Sequence, residues 1–178
     1  MGRLNTYSPR FISNPVDLVA EHKEKLVAFA GKTIESIWIA WDHQSNRWLR
    51  EMPVVIEAGN EQIELCANRI GEYSITFNTI NLELAPSSMQ ISWEENKLNE
   101  IHRVLNQEIR SIEMIESTVH TSCLKEDQLS GKVAVDYVID GIGFNLERGY
   151  LAVCNGLDEN IILTSNDFHQ TIKCTSIE

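Results

Sequence analysis

The sequence predicts an α+β fold, a tandem duplication of one helix followed by about four mainly antiparallel strands. Three observations predict it: an apolar pattern occurs twice, a helix-start signal precedes each occurrence, and short turn signals separate the apolar runs. The two copies would form either two sheets or one pseudo-symmetric continuous sheet. Short connections between the strands favour antiparallel hairpins.

The duplication is clearest around two cysteines. Setting Cys66 on Cys154, an offset of 88 residues, aligns the apolar run 54–66 with 142–154 and continues without a gap, so that Ile75 falls on Leu163. Upstream, Ser36 falls on Ser111, an offset of 75 residues. The difference between the two offsets predicts an insertion of about 13 residues in the second copy.

Each copy is expected to begin with a helix. In the first copy, Asn14 is a good N-cap, Pro15 suits the first helical position, and Gly31 can end the helix in a left-handed conformation, which predicts a helix over 15–30. In the second copy, Ser92 and Glu95 form a capping box that predicts a helix from Ser92. The expected buried faces are Leu18, His22, Leu26 and Phe29 in the first helix and Leu98, Ile101 and Leu105 in the second.

Apolar runs bounded by turn residues predict the strands. In the first copy, they are expected near 34–41, 48–57, 62–66 and 74–77, with turns at 42–46 and 58–60. In the second copy, they are expected near 109–116, 132–139, 142–146, 150–154 and 161–164, with turns at 140–141 and 148–149. The predicted organisation is an N-terminal arm at 1–12, a first repeat at 13–85, a linker at 86–91 and a second repeat at 92–178.

Composition limits the classes of partner. Hydrophobic residues at 43% and charged residues at 23% are typical of a chain that folds. The formal charge of −11 disfavours nucleic acid and anionic membranes, and it favours a basic protein partner. The charge is −3 over residues 1–88 and −8 over residues 89–178, so the acidic surface is expected mainly on the second half.

The sequence contains no signal for export, redox chemistry or catalysis. Its first residues lack the apolar core of a signal peptide and no run is long enough to span a bilayer, so we expect a cytoplasmic protein. The four cysteines are widely spaced, without a C-x-x-C pair, and are expected to be reduced. No phosphate-binding loop, nucleophile elbow or zinc-protease motif is present, so no catalytic residue and no cofactor is predicted.

A metal site is considered and not predicted. His120 and Cys123 place an imidazole and a thiol close together in the inserted segment, but zinc would need two more ligands. The candidates His102, His169 and Cys174 have no characteristic spacing.

Two groups of residues are candidates for partner binding. Trp41 and Trp48 would either form part of an aromatic recognition surface or pack as a cross-strand pair in a hairpin. The polar loop 155–160 would be a structural turn, coordinate calcium through its oxygens, or bind a cationic partner; it lacks the spacing of an EF-hand. The candidate residues are Trp41, Trp48, Asn155, Asp158 and Glu159.

The run Gly149-Tyr150-Leu151-Ala152-Val153-Cys154-Asn155-Gly156-Leu157-Asp158-Glu159-Asn160 resembles one found in small, acidic, uncharacterised proteins of Bacillus-type bacteria. The stretches 53–56, 65–68 and 74–78 add to the resemblance, which spans about two thirds of the chain. It implies no activity. Bacterial immunity proteins that neutralise toxins are similar in size and charge only.

The leading hypothesis from the sequence is a non-enzymatic cytoplasmic protein that binds a basic partner, as an immunity or accessory protein. The alternative is a small-molecule or metal-binding domain with its site at the interface between the repeats. An enzyme with dispersed catalytic groups is a third alternative. A homodimer is also compatible with the sequence, because the sheet edges of two copies need covering.

Overall fold

The computed structural model describes residues 6–86, 90–122, 133–168 and 172–178, with the side chains of 120–122 and 133–135 excepted. Within these ranges the chain forms one α-helix, one 3₁₀ helix and eleven strands. They are α1 (Pro15–Val27), β1 (Ile34–Asp42), β2 (Arg47–Trp48), β3 (Val54–Ala58), β4 (Glu61–Ala67), β5 (Tyr73–Phe77), β6 (Ile91–Glu95), the 3₁₀ helix Asn99–Arg103, β7 (Ile109–Ser122), β8 (Val133–Leu146), β9 (Gly149–Asn155), β10 (Asn160–Leu163) and β11 (Ile172–Ser176).

The strands form two antiparallel sheets, so the α+β class is confirmed. The first sheet has the order β2-β1-β3-β4-β5, and β6 also pairs with β1. The second sheet has the order β10-β9-β8-β7-β11. No helix in the described part of the chain is long and apolar enough to cross a bilayer.

The two sheets repeat one strand register. Ile37 is opposite Ile56 in the first sheet, and Ile112 is opposite Phe144 in the second, at the offsets of 75 and 88 residues found in the sequence. Both pairings contain an irregularity just after their first residue, at 34–36 and at 109–111. In each sheet the last strand returns to pair with the first, β6 with β1 and β11 with β7.

The predicted alignment of the two repeats, which continued without a gap into the last hairpin, is wrong by one residue. Leu65 pairs with Ile75, whereas the corresponding Val153 pairs with Ile162 and not with Leu163. The loop between β9 and β10 is therefore one residue shorter than the loop between β4 and β5. The expected insertion is present as a long extension of the β7–β8 hairpin, whose pairing runs as far as Ser122 and Val133.

The prediction of a second α-helix beginning at Ser92 is wrong. Residues 91–95 form strand β6, in which Ser92 is opposite Trp41 of β1. A capping box satisfies only the backbone groups at the start of a helix. Here the open edge of β1 offers hydrogen-bond partners to the backbone groups of the whole segment, so the segment forms a strand. Only the short 3₁₀ helix follows, so only the first sheet is preceded by an α-helix, and the sheets contain six and five strands instead of the predicted four or so each. The predicted apolar residues still face inwards: Ile101 is buried, and Leu98 and Leu105 pack against the core.

Two strand boundaries also differ from the prediction. The predicted strand 48–57 is divided into β2 and β3 by residues 49–53. The predicted turn at 140–141 instead lies within one continuous strand, β8, where Asp140 is an extra residue between the pairs Ile115–Gly141 and Glu116–Ile139. This irregularity gives the strand a local distortion without ending it, which the glycine at 141 tolerates.

The first helix is confirmed, although it ends at Val27. The Asn14 side chain accepts hydrogen bonds from the backbone N–H groups of Val16 and Asp17, at 2.8 and 3.4 Å. Leu18, His22 and Leu26 are buried against the sheets, and burial lowers the pKa of His22.

The molecule has two halves, one built on the first sheet and the other on the second sheet. They meet at a local pseudo-twofold axis and share one core. Gly31 N–H donates to Ile109 C=O at 2.8 Å, and Asn106 N–H donates to Ile34 C=O at 2.9 Å, so equivalent residues exchange equivalent bonds. The main hydrophobic cluster contains residues of both sheets. Across it, the buried Tyr73 hydroxyl donates to Val153 C=O at 2.7 Å.

Candidate binding cleft

An open cleft of about 430 Å³ lies where the two halves meet on one side of the molecule. The first half contributes Trp41 and Trp48, with Arg47, Arg50 and Glu51 from the connection between β1 and β3. Leu98 and Glu100, around the start of the 3₁₀ helix, and Glu159, from the loop before β10, complete its walls. The cleft thus combines two indole rings with charges of both signs.

The two tryptophans are held by a short hairpin. Trp41 in β1 and Trp48 in β2 are directly opposite each other, and both are partly buried against the main core. The predicted cross-strand packing is present, and the same pair lines the cleft. Trp38 contributes to the opposite face of β1, where its indole N–H donates to Glu57 at 2.8 Å.

Each cleft tryptophan already has a cation near its ring. The Arg50 guanidinium lies 5.2 Å from the ring centre of Trp48, and the Lys97 ammonium lies 5.3 Å from that of Trp41. Both distances are within the range of cation–π attraction. Lys97 also pairs with Glu94 at 3.3 Å. The Ser92 hydroxyl and then Lys97 hold the pKa of the Glu94 carboxyl below its ordinary value.

One ion pair joins the two halves across the cleft. Arg50 Nη1 lies 3.2 Å from Glu159 Oε1, and these side chains are 48% and 42% exposed. Such half-exposed pairs contribute little to stability, typically no more than about 1 kcal/mol. The pair can therefore separate and form again with little effect on the stability of the fold.

A buried asparagine fixes the backbone under the cleft. Asn160 is fully buried, and its Nδ2 donates to Arg50 C=O and Met52 C=O, each at 2.8 Å. Its Oδ1 accepts from Ala67 N–H at 2.8 Å. Because Arg50 and Met52 bond to Asn160 and Pro53 has no N–H, the predicted strand 48–57 is interrupted there.

The sequence did not single out Asn160 as a functional or structural residue. The available signal was an asparagine where the polar loop 155–160 meets an apolar strand. That position is equally typical of a simple turn residue, so its three partners in the other half could not be inferred.

The structure brings together three of the five predicted candidates. Trp41, Trp48 and Glu159 line one cleft. Asn155 is outside it, and its Nδ2 donates to Arg69 C=O at 2.7 Å, which fastens the loop to the first half. Asp158 is exposed with φ of 70° and does not line the cleft.

The described thiols are not suited to metal binding or nucleophilic attack. No three His, Cys, Asp or Glu side chains in the described part of the chain lie close enough to hold a metal ion. Burial raises the pKa of Cys66 and of Cys154, and burial followed by the nearby Glu113 raises that of Cys174 to about 11. These thiols are protonated at neutral pH. The predicted pair His120 and Cys123 lies outside the described side chains.

Comparison with known proteins identifies no relative. No family model matches the chain, and neither the curated proteins nor the solved structures contain a significant match.

Proposed function

We propose that this protein is a non-enzymatic binding protein that recognises a basic partner protein through the cleft around Trp41, Trp48 and Glu159. A role as an immunity or accessory protein in the cytoplasm fits this activity. The observation that carries the proposal is the meeting of these three residues, two from the first half and one from the second, in one open cleft.

The charge of the cleft and of the chain supports a cationic partner. Glu51, Glu100 and Glu159 line the cleft together with Arg47 and Arg50, leaving one negative charge in excess. In the described part of the chain, Glu51 and Glu100 have no ion-pair partner, so both carboxylates are available. The chain as a whole carries −11, which would accelerate association with a basic protein.

The test is affinity capture from host lysate at low and high salt, with Glu159→Gln and Asp158→Asn as a matched pair. Both changes remove one carboxylate from the same loop, but only Glu159 lines the cleft. We expect wild type and Asp158→Asn to retain a basic protein that high salt releases, and Glu159→Gln to retain several-fold less. Capture that is insensitive to salt, or equal for both variants, would contradict the proposal.

A small-molecule ligand is the second candidate, because the cleft lies between the halves and its volume is within the usual range for ligand sites. If the capture experiment returned only the chain itself, this alternative would replace the first. A thermal-shift screen of small cationic and aromatic compounds would then test it, with loss of the shift in Trp48→Leu as the expected result.

A further inference from the structure

We propose that Arg50 is an internal occupant of the cleft and that an arginine of the partner displaces it from Trp48 and Glu159. This inference rests on the proposed function and names both the chemistry of the partner segment and the way in which access to the cleft is controlled.

Arg50 has both of the contacts by which proteins commonly hold a guanidinium group. The Cζ atom of its guanidinium group lies 5.2 Å from the Trp48 ring centre, and its Nη1 atom lies 3.2 Å from the Glu159 carboxylate. Aromatic faces and carboxylates are the characteristic partners of arginine, because the planar guanidinium ion stacks and donates in its plane. A partner arginine would find the same two groups.

The Arg50 side chain can leave without disturbing the loop that carries it. Its backbone carbonyl accepts from Asn160 N–H and from Asn160 Nδ2, each at 2.8 Å, so the main chain is fixed. Its side chain is 48% exposed, and among the described residues it pairs with one carboxylate, that of Glu159. Displacement therefore exchanges one solvent-accessible ion pair for another.

Arg47 provides an internal comparison. It lines the same cleft with the same charge, but its charge acts on Asp42, its neighbour across the β1–β2 hairpin, and not on Trp48 or Glu159. Removing Arg47 takes one positive charge from the cleft and from beside Asp42, whereas removing Arg50 also vacates the guanidinium position at Trp48 and Glu159.

The experiment is an NMR titration with the peptide acetyl-Gly-Arg-Gly-amide, followed at the indole N–H of Trp48, which is assigned by its loss in Trp48→Phe. The peptide with citrulline in place of arginine has nearly the same shape without the charge. We expect Arg50→Gln to bind the arginine peptide roughly three- to ten-fold more tightly than wild type, and the citrulline peptide to bind negligibly. Arg47→Gln should give a clearly smaller gain, and Glu159→Gln a loss.

The inference would be overturned if Arg50→Gln gave no gain in affinity for the arginine peptide, or if Arg47→Gln gave an equal gain. It would also be overturned if a glutamate control peptide, acetyl-Gly-Glu-Gly-amide, bound more tightly than the arginine peptide. Unchanged indole signals of the other tryptophans verify that each variant is folded. If no peptide bound while a basic protein was still captured in a Glu159-dependent way, the inference would fail and the proposed function would stand. If capture also failed, the proposed function itself would be wrong.

Discussion

Single polar residues join the halves of this molecule. Asn160 belongs to the second sheet, yet its side chain bonds to backbone groups of the first half at Arg50, Met52 and Ala67. Buried backbone groups need partners, so one amide side chain replaces the ladder bonds that the interrupted strand lacks. The same residue therefore supports the fold and positions Arg50 and Glu159 in the cleft.

Replacing Asn160 with alanine should be strongly destabilising. It would leave the Met52 carbonyl and the buried Ala67 N–H without the partner they now have, while the Arg50 carbonyl would keep its bond from the backbone N–H of residue 160. We expect a loss of about 2–4 kcal/mol in the free energy of unfolding. Urea denaturation followed by circular dichroism measures it. Asn155→Ala is the matched control, because Asn155 is less buried and makes one short bond to the other half, so its loss should be about 1 kcal/mol. Equal losses for the two variants would show that Asn160 has no special role.

At the scale of elements, both sheets have a polar network on the face away from the core. In the first, Glu57 accepts from Ser36, Trp38 and Gln62. In the second, the equivalent positions are Ser111, Glu113, Asn145 and Tyr150, and Glu113 accepts from Asn145 at 3.1 Å and from Tyr150 at 2.7 Å. The carboxylate lies on β3 in the first sheet and on β7 in the second, and both sheets place it in a network formed at the same four positions.

Gly143 is required for the second network. Tyr150 in β9 must cross β8 to reach Glu113 in β7, and Gly143 is the residue that it crosses. A Cβ atom at Gly143 would overlap the Tyr150 hydroxyl and would lie 2.8 Å from its Cζ atom. An aromatic ring laid over a strand glycine is a recognised means of packing such a position. Gly143 therefore leaves the space that the Tyr150 ring occupies over β8.

Gly143→Ala should destabilise the protein by about 1–3 kcal/mol, because the Tyr150 ring must move and lose its bond to Glu113. In a Tyr150→Ala background the same change should cost less than about 1 kcal/mol, since the clash is absent. Chemical denaturation of the four proteins of this double-mutant cycle measures the coupling. Additive effects, with no coupling between the two sites, would refute this account of Gly143.

At the scale of the whole molecule, the shared core predicts that the halves unfold together. Ile142 in β8 and Ile63 in β4 are fully buried in the same cluster. The four tryptophans lie in β1, β2 and β6, so their fluorescence reports on the first sheet. If the halves unfold cooperatively, a substitution that destabilises the second sheet lowers the unfolding free energy measured by this fluorescence by its full effect.

Ile142→Val should therefore lower the unfolding free energy measured by tryptophan fluorescence by roughly 1 kcal/mol. The control, Ile63→Val in the first sheet, should lower it by a similar amount, and far-UV circular dichroism should give the same transition for both. If the fluorescence midpoint responded to Ile63→Val but not to Ile142→Val, the halves would be independent folding units.

The sequence by itself determined the features that depend on neighbouring residues: the class, the cap of α1 at Asn14, the tight turn at Gly59 and Asn60, and the repeated register with its two offsets. Only the tertiary structure decided that residues from Ser92 form a strand, that the strand after Trp48 is interrupted, and that Glu159 meets the tryptophans. Caps and turns are satisfied within a few residues, so a pattern can reveal them. The edge of β1 that recruits β6 and the carbonyls that bond to Asn160 are distant in sequence from their partners, and their free energy exists only once the halves have packed.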